Sequence, residues 1–131
     1  MSTRHIIGWE KNVPVSATLT PGATHIDTIA CGVVLKDYAG NALTAKRAVH
    51  AYLSESSVGE GVSTTDLTTD MTASVGAVAI MEQYHQYILI SNASGALTLS
   101  MGYTTGAKTF YLVLVMPSGE LQVSGAIAFT A

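Results

Sequence analysis

Three times this chain sets an apolar run, a glycine turn and a second apolar run in succession. The first phrase is Val33-Val34-Leu35-Lys36-Asp37-Tyr38-Ala39-Gly40-Asn41-Ala42-Leu43. The second is Ile88-Leu89-Ile90-Ser91-Asn92-Ala93-Ser94-Gly95-Ala96-Leu97-Thr98-Leu99, and the third is Tyr111-Leu112-Val113-Leu114-Val115-Met116-Pro117-Ser118-Gly119-Glu120-Leu121-Gln122-Val123. Glycine accepts the positive φ that tight turns require, and the flanks suit pleated strands. Each phrase therefore reads as a β-hairpin. Further strands are expected over 26–36, 48–54, 75–84, 86–91, 96–103, 108–116 and 120–130. Residues 42–53 fit helical and strand spacing alike; their place between hairpins favours a strand at 48–54. No stretch carries convincing helix caps. The expectation is an all-β chain folded as a single antiparallel β-sandwich, immunoglobulin-like or, as the alternative, a jelly roll, since both share this alternating grammar.

A chain of 131 residues suits one domain with a full core. Residues 1–24 read as an N-terminal arm and an edge strand. Val13, Val15, Ala17 and Leu19 alternate with polar positions, and Pro14 cannot donate to a ladder. Residues 25–131 form the sandwich domain. The stretch 55–74, rich in Gly, Ser and Thr, reads as one long exposed loop, the first place to seek a recognition surface.

Charged residues make up only 11% of the chain, where about 25% is ordinary. So neutral an exterior suits either contact with neighbouring subunits or a plain Thr-rich surface. Six basic residues are scattered against nine acidic ones, with no basic stripe for nucleic acid and no acidic tail. No apolar run approaches the roughly 20 residues that span a bilayer. The first residues lack a signal-type apolar stretch, so synthesis in the cytoplasm is expected. Cys31 is the only cysteine and lies among apolar neighbours, which suits a buried, inert thiol.

Candidate chemistry is sparse. His5, His25, His50 and His85 have no metal-type spacing. His85 reads as a solvated turn residue, and His25 with Asp27 as two exposed groups on one strand face. Asp66 and Asp70 lack a calcium-loop pattern and read as turn formers. Tyr84, Tyr87, Tyr103 and Tyr111 can form a platform for sugars or bases, but more commonly fill a core with the hydroxyl at its rim. Asn92-Ala93-Ser94 is read as a turn. No nucleophile, base and orienting group come together, so no enzyme activity, cofactor or metal is expected. Candidate partner contacts are Ile6, Ile7 and Trp9 on the arm, and Val58, Glu60 and Val62 in the long loop.

The phrase 33–43, Val49-His50-Ala51-Tyr52-Leu53-Ser54, the run 91–99 and Phe110-Tyr111-Leu112-Val113-Leu114-Val115-Met116-Pro117-Ser118-Gly119-Glu120-Leu121 resemble small immunoglobulin-like virion proteins of tailed bacteriophages. In that group a Leu-x-Asp-x-x-Gly-Asn-x-Leu strand-turn opens the domain, and a closing hairpin carries a Pro-x-Gly turn. The resemblance covers about residues 26–131 and leaves the N-terminal segment outside. It implies a non-enzymatic structural role, decorating or cementing a phage head by binding the major capsid protein lattice. Its partners would be that protein and copies of this chain, on the capsid surface, with no nucleic acid or membrane. The alternative is a tail-associated or adhesin-like module that binds carbohydrate or a receptor through the 55–74 loop and the tyrosines.

Overall fold

The computed structural model describes residues 12–130. Ten strands and no helix make up the described chain, so no helix is long and apolar enough to cross a membrane. The strands are β1 (Ser16–Pro21), β2 (Thr28–Lys36), β3 (Ala48–Ser54), β4 (Thr69–Val75), β5 (Ala77–Glu82), β6 (Gln86–Ile90), β7 (Ala96–Gly102), β8 (Lys108–Val115), β9 (Leu121–Val123) and β10 (Ile127–Phe129). They form a four-stranded sheet, β1-β2-β7-β4, and a six-stranded sheet, β10-β8-β3-β6-β5, in which β9 also pairs with β8. Every strand pairing is antiparallel.

Alternation places the core. In β2, Ile29, Cys31, Val33 and Leu35 point inward and lie opposite Met101, Leu99 and Leu97 of β7. From the other sheet come Val49, Ala51 and Leu53 of β3, Tyr87 and Leu89 of β6, and Phe110, Leu112 and Leu114 of β8. Tyr103, Phe110 and Phe129 meet edge-on or tilted, with ring centroids 5.5 to 6.0 Å apart. Burial pushes the Cys31 thiol up to about 11, with a backbone hydrogen bond from Thr20 opposing, so the thiol is kept in its unreactive form.

The repeated phrase has one local geometry and two uses. In each copy the glycine has positive φ, at 82° for Gly40, 74° for Gly95 and 89° for Gly119. Gly40 N–H donates to Asp37 O and Asp37 N–H to Asn41 O; Gly95 and Asn92 repeat this with Asn92 and Ala96, and Gly119 and Met116 with Met116 and Glu120. This is the three-residue hairpin loop with glycine in the left-handed position. Asp37 and Asn92 reinforce it, each accepting two further backbone N–H groups on the side-chain oxygen. Only the third copy, however, joins partner strands, β8 and β9. The first carries the chain from β2 to β3 and the second from β6 to β7, which lie in different sheets. The hairpin expectation is therefore corrected for the second copy, while the first closes only a short hairpin, with Lys36 bridging Ala42 and Leu43 N–H donating to Leu35 O, before the chain leaves for β3. The turn is set locally, but the flanking strands take their partners from distant apolar sequence. One hydrogen bond joins the two corners, from Leu35 N–H to Gly95 O.

Three other expectations change. The loop 55–74 ends early, because Leu67 and Met71 are drawn into the core and β4 begins at Thr69. The strand expected over 75–84 breaks at Gly76, where the chain crosses from the four-stranded to the six-stranded sheet. The strand expected over 120–130 splits around Ser124, whose hydroxyl accepts the Leu112 N–H in place of a ladder carbonyl. The strand at 48–54 is found at those bounds.

The order β1-β2-β7-β4 opposite β8-β3 is the A-B-E-D and F-C arrangement of immunoglobulin constant domains, with β9 and β10 sharing the G position. The pair β5–β6 lies beside β3 but is entered from β4 rather than from β3.

Candidate docking face

The outward faces of the two sheets differ in chemistry. On the four-stranded sheet, register pairs Ser16 with Lys36, Thr18 with Val34, Thr20 with Gly32, Ala30 with Ser100 and Gly32 with Thr98. That is the small, hydroxyl-rich surface of a sheet facing water. On the six-stranded sheet, one row runs Ala79, Ile88, His50, Val115, Leu121 across five strands. The row above runs Ala77, Ile90, Ala48, and the row below runs Glu82, Gln86, Tyr52, Val113, Val123, where Tyr52 and Val113 are buried beneath the long loop. Glu82, at the β5 margin, is the one charged residue in these rows. Ile88, Ile90, Val115 and Val123 are half-buried and Leu121 is 40% exposed. A contiguous apolar sheet face of this kind marks an interaction site more often than a solvated wall. At its centre His50 Nε2 lies 3.1 Å from Gln86 Oε1, and its ring tilts on Tyr52 at a centroid distance of 6.1 Å.

The first half of the long loop borders this face. Tyr52 donates its hydroxyl to Gly59 O at 2.6 Å, which draws the loop over β3 and buries Ser54. Gly59, at φ 78°, sits so close to Val113 and Val123 that a Cβ would lie 3.1 to 3.4 Å from their methyl groups. Of the loop residues expected to touch a partner, Val58 is 62% exposed, Val62 is 37% exposed and Glu60 is exposed. Val58 adjoins Gly59, the residue that rests on Val113 and Val123. Ile6, Ile7 and Trp9 lie outside the described residues. The described chain begins at Asn12, which accepts hydrogen bonds from Thr44 and, through its carbonyl, from Arg47 Nε at 2.7 Å. That is the Ala48–Ile90 end of the same sheet.

Glu55 holds the return leg of the loop. Its Oε2 accepts the hydroxyls of Ser63 at 2.9 Å and Thr65 at 3.1 Å and the Thr64 N–H at 3.3 Å, while Oε1 pairs with Lys108. The Lys108 ammonium does most to lower the carboxyl from an ordinary 4.5 to about 2; the two hydroxyls help and partial burial opposes. Because the folded-state value is the lower one, the contribution is complete above the ordinary value and is lost as pH falls from about 4.5 through about 2. Amide protection over residues 56–65, measured against the intrinsic exchange rate at each pH, should therefore fall across that window, and Glu55→Gln should show the lower protection already at neutral pH.

The polar groups at the foot of β5 and β6 are structural. Asp70 accepts the Tyr84 N–H at 2.8 Å and the Tyr87 hydroxyl at 2.9 Å. The first bond holds Tyr84 at φ 70°, the one non-glycine residue with positive φ among those described. Burial, and then Asp70, raise the Tyr87 phenol well above its ordinary range. His85 is not solvated as expected: its side chain is 15% exposed and its Nε2 lies 2.6 Å from Asp66 Oδ1. The cause is long-range, since Leu53 N–H donates to His85 O and draws the turn against β3. No nucleophile stands beside this pair in the hydrogen-bond network, and no pocket opens among the described residues. Tyr87 and Tyr103 are buried, which leaves no four-tyrosine platform. His25 Nδ1 accepts the Asp27 N–H at 3.2 Å, and both residues are exposed.

The sequence carries a signal for this face that the loop and arm candidates do not include. Tyr87-Ile88-Leu89-Ile90 and Phe110 to Met116 are continuous apolar runs rather than alternating ones. An antiparallel strand wet on one face should alternate; a continuous run points to cover on both. No family model matches this chain, and no curated protein matches it.

Proposed function

We propose that this chain is a non-enzymatic virion structural protein that decorates or cements a tailed-phage capsid, resting the outward face of its six-stranded sheet on the major capsid protein lattice. The observation that carries the reading is the contrast between the two outward faces. One is mostly Ser, Thr and Gly with Ala30, Val34 and Lys36, and the other is mostly Ile, Val, Ala and Leu around His50 across five strands. A face of that breadth, charged only at Glu82 on its margin, suits a flat protein lattice, where many small apolar contacts are repeated over each copy. The Leu-x-Asp-x-x-Gly-Asn-x-Leu turn and the Pro-x-Gly closing hairpin supply the phage resemblance. Asp37 and Gly40 play scaffold roles in that turn, consistent with a family that carries no catalytic residues.

The test is sedimentation with purified, expanded phage capsids. The reading predicts that the protein pellets with them at a fixed ratio to the major capsid protein. Protein that stays in the supernatant, and instead binds glycans on an array, would favour the adhesin-like reading.

A further inference from the structure

A sandwich has four open edges, and this one guards three of them. An unpaired edge offers a row of free N–H and C=O groups to any other strand, so proteins blunt their edges with proline, bulges, breaks or charge. The β1 edge is flanked by Pro14 and ends at Pro21. The β4 edge shifts register twice against β7, between Thr69 and Thr72 and again between Ala73 and Val75. The edge beyond β8 is cut into β9 and β10, each three residues long. The remaining edge is β5, Ala77-Val78-Ala79-Ile80-Met81-Glu82. It pairs with β6 without interruption from Ala77 to Ile80 and shifts only before Glu82. It holds no proline, lysine or arginine. Ile80 is 53% exposed and Met81 59%.

We propose that β5 pairs with β5 of a second copy of this chain, antiparallel, about a twofold axis at Ala79. The choice of a second copy rests on how the strand complements itself. With Ala79 opposite its own counterpart, Val78 lies across from Ile80 of the second copy, and Ala77 across from Met81. Each large exposed side chain thus meets a smaller one, and both half-exposed residues are covered. Glu82 falls opposite Gly76, whereas parallel pairing in register would set the two Glu82 carboxylates side by side. A twofold axis closes the assembly at two copies, so the edge is consumed rather than propagated. Joined in this way, the two six-stranded sheets become one, and the row Ala79, Ile88, His50, Val115, Leu121 continues across the axis. The inference deepens the structural-protein reading by saying how copies meet. It stands on the edge rather than the face, so capsid binding can fail while the dimer remains.

The test is the mass of the full chain in solution, by sedimentation equilibrium, together with an Ala79→Cys variant under mild oxidation. Expected are a dimer for the unaltered chain, an Ile80→Lys variant whose dimer dissociates at least tenfold more readily, and a covalent dimer through Ala79→Cys. Cys31 is buried and does not compete, and Ala39→Cys, exposed in the Asp37 turn, should give no covalent dimer under the same oxidation. An unaltered chain that is monomeric at every concentration overturns the proposal. So does a dimer that Ala79→Cys does not cross-link, which also decides the matter if Ile80→Lys fails to fold.

Discussion

Gly76→Ala should cost clearly more stability than Gly40→Ala, although both glycines have a φ of 82°. The conformational penalty is common to the two, about 1–2 kcal/mol for placing a Cβ in the left-handed region. Their surroundings differ. At Gly40 nothing lies within 4 Å of the added carbon, while at Gly76 it would lie 2.6 Å from Ile90 O and 2.6 Å from Leu97 Cδ2. Leu97 is a core side chain and Ile90 O belongs to the backbone, so neither yields by swinging into solvent. Overpacking of this kind costs a further ~1–3 kcal/mol. Thermal unfolding should then show Gly76→Ala melting well below Gly40→Ala, because each kcal/mol moves the midpoint by roughly 2–8 °C in a domain of this size. Equal losses would mean that the crossing between sheets at Gly76 is looser than described. The position matters beyond stability, since this elbow delivers β5 to the edge of the six-stranded sheet.

The second large effect is on binding. Ile88→Glu places a carboxylate in the middle of the apolar face, between Ala79 and His50. The site is half-buried in the free protein, so the change should cost about 0.5–3 kcal/mol of stability, which leaves the domain folded for the binding assay. Desolvated against a capsid without a partner, the carboxylate costs several kcal/mol, so affinity should fall by about a hundredfold or more. The matching change on the opposite sheet, Thr98→Glu, sits between Gly32 and the paired edge of β4 and should leave capsid binding within about twofold of the unaltered chain. Equal loss from both variants would remove the distinction between the faces.

Much of the fold was legible because it is written in local terms. The inward sets Ile29-Cys31-Val33-Leu35 and Val49-Ala51-Leu53 follow from period-two alternation alone. The glycine turns follow from the one residue that accepts their φ. What local terms do not carry is partnership. Nothing in Asp37-Tyr38-Ala39-Gly40-Asn41 says whether its two flanks pair with each other or part into different sheets. That is decided by contacts such as Leu35 N–H to Gly95 O, sixty positions along the chain. Leu67 and Met71 hid in a polar stretch for the same reason, since two isolated apolar residues become core only when β4 meets β7. The candidate site was less legible still. Of the loop residues Val58, Glu60 and Val62, only Val58 adjoins Gly59 at the margin of the face, while its centre lies in runs such as Tyr87-Ile88-Leu89-Ile90 that read as ordinary core strand. The setting of His85 is not legible locally, because its partners, Asp66 and Leu53, come from other segments.

The central claim is that the outward face of the six-stranded sheet is the surface that docks. Hydroxyl-radical footprinting of the protein, free and bound to capsids, reads side-chain cover directly. The account predicts protection of Ile88, Ile90, Val115 and Leu121 on binding, with Thr18, Val34 and Thr98 labelled as in the free protein. Protection falling on Thr18, Val34 and Thr98 while Ile88 and Val115 stay open would contradict it.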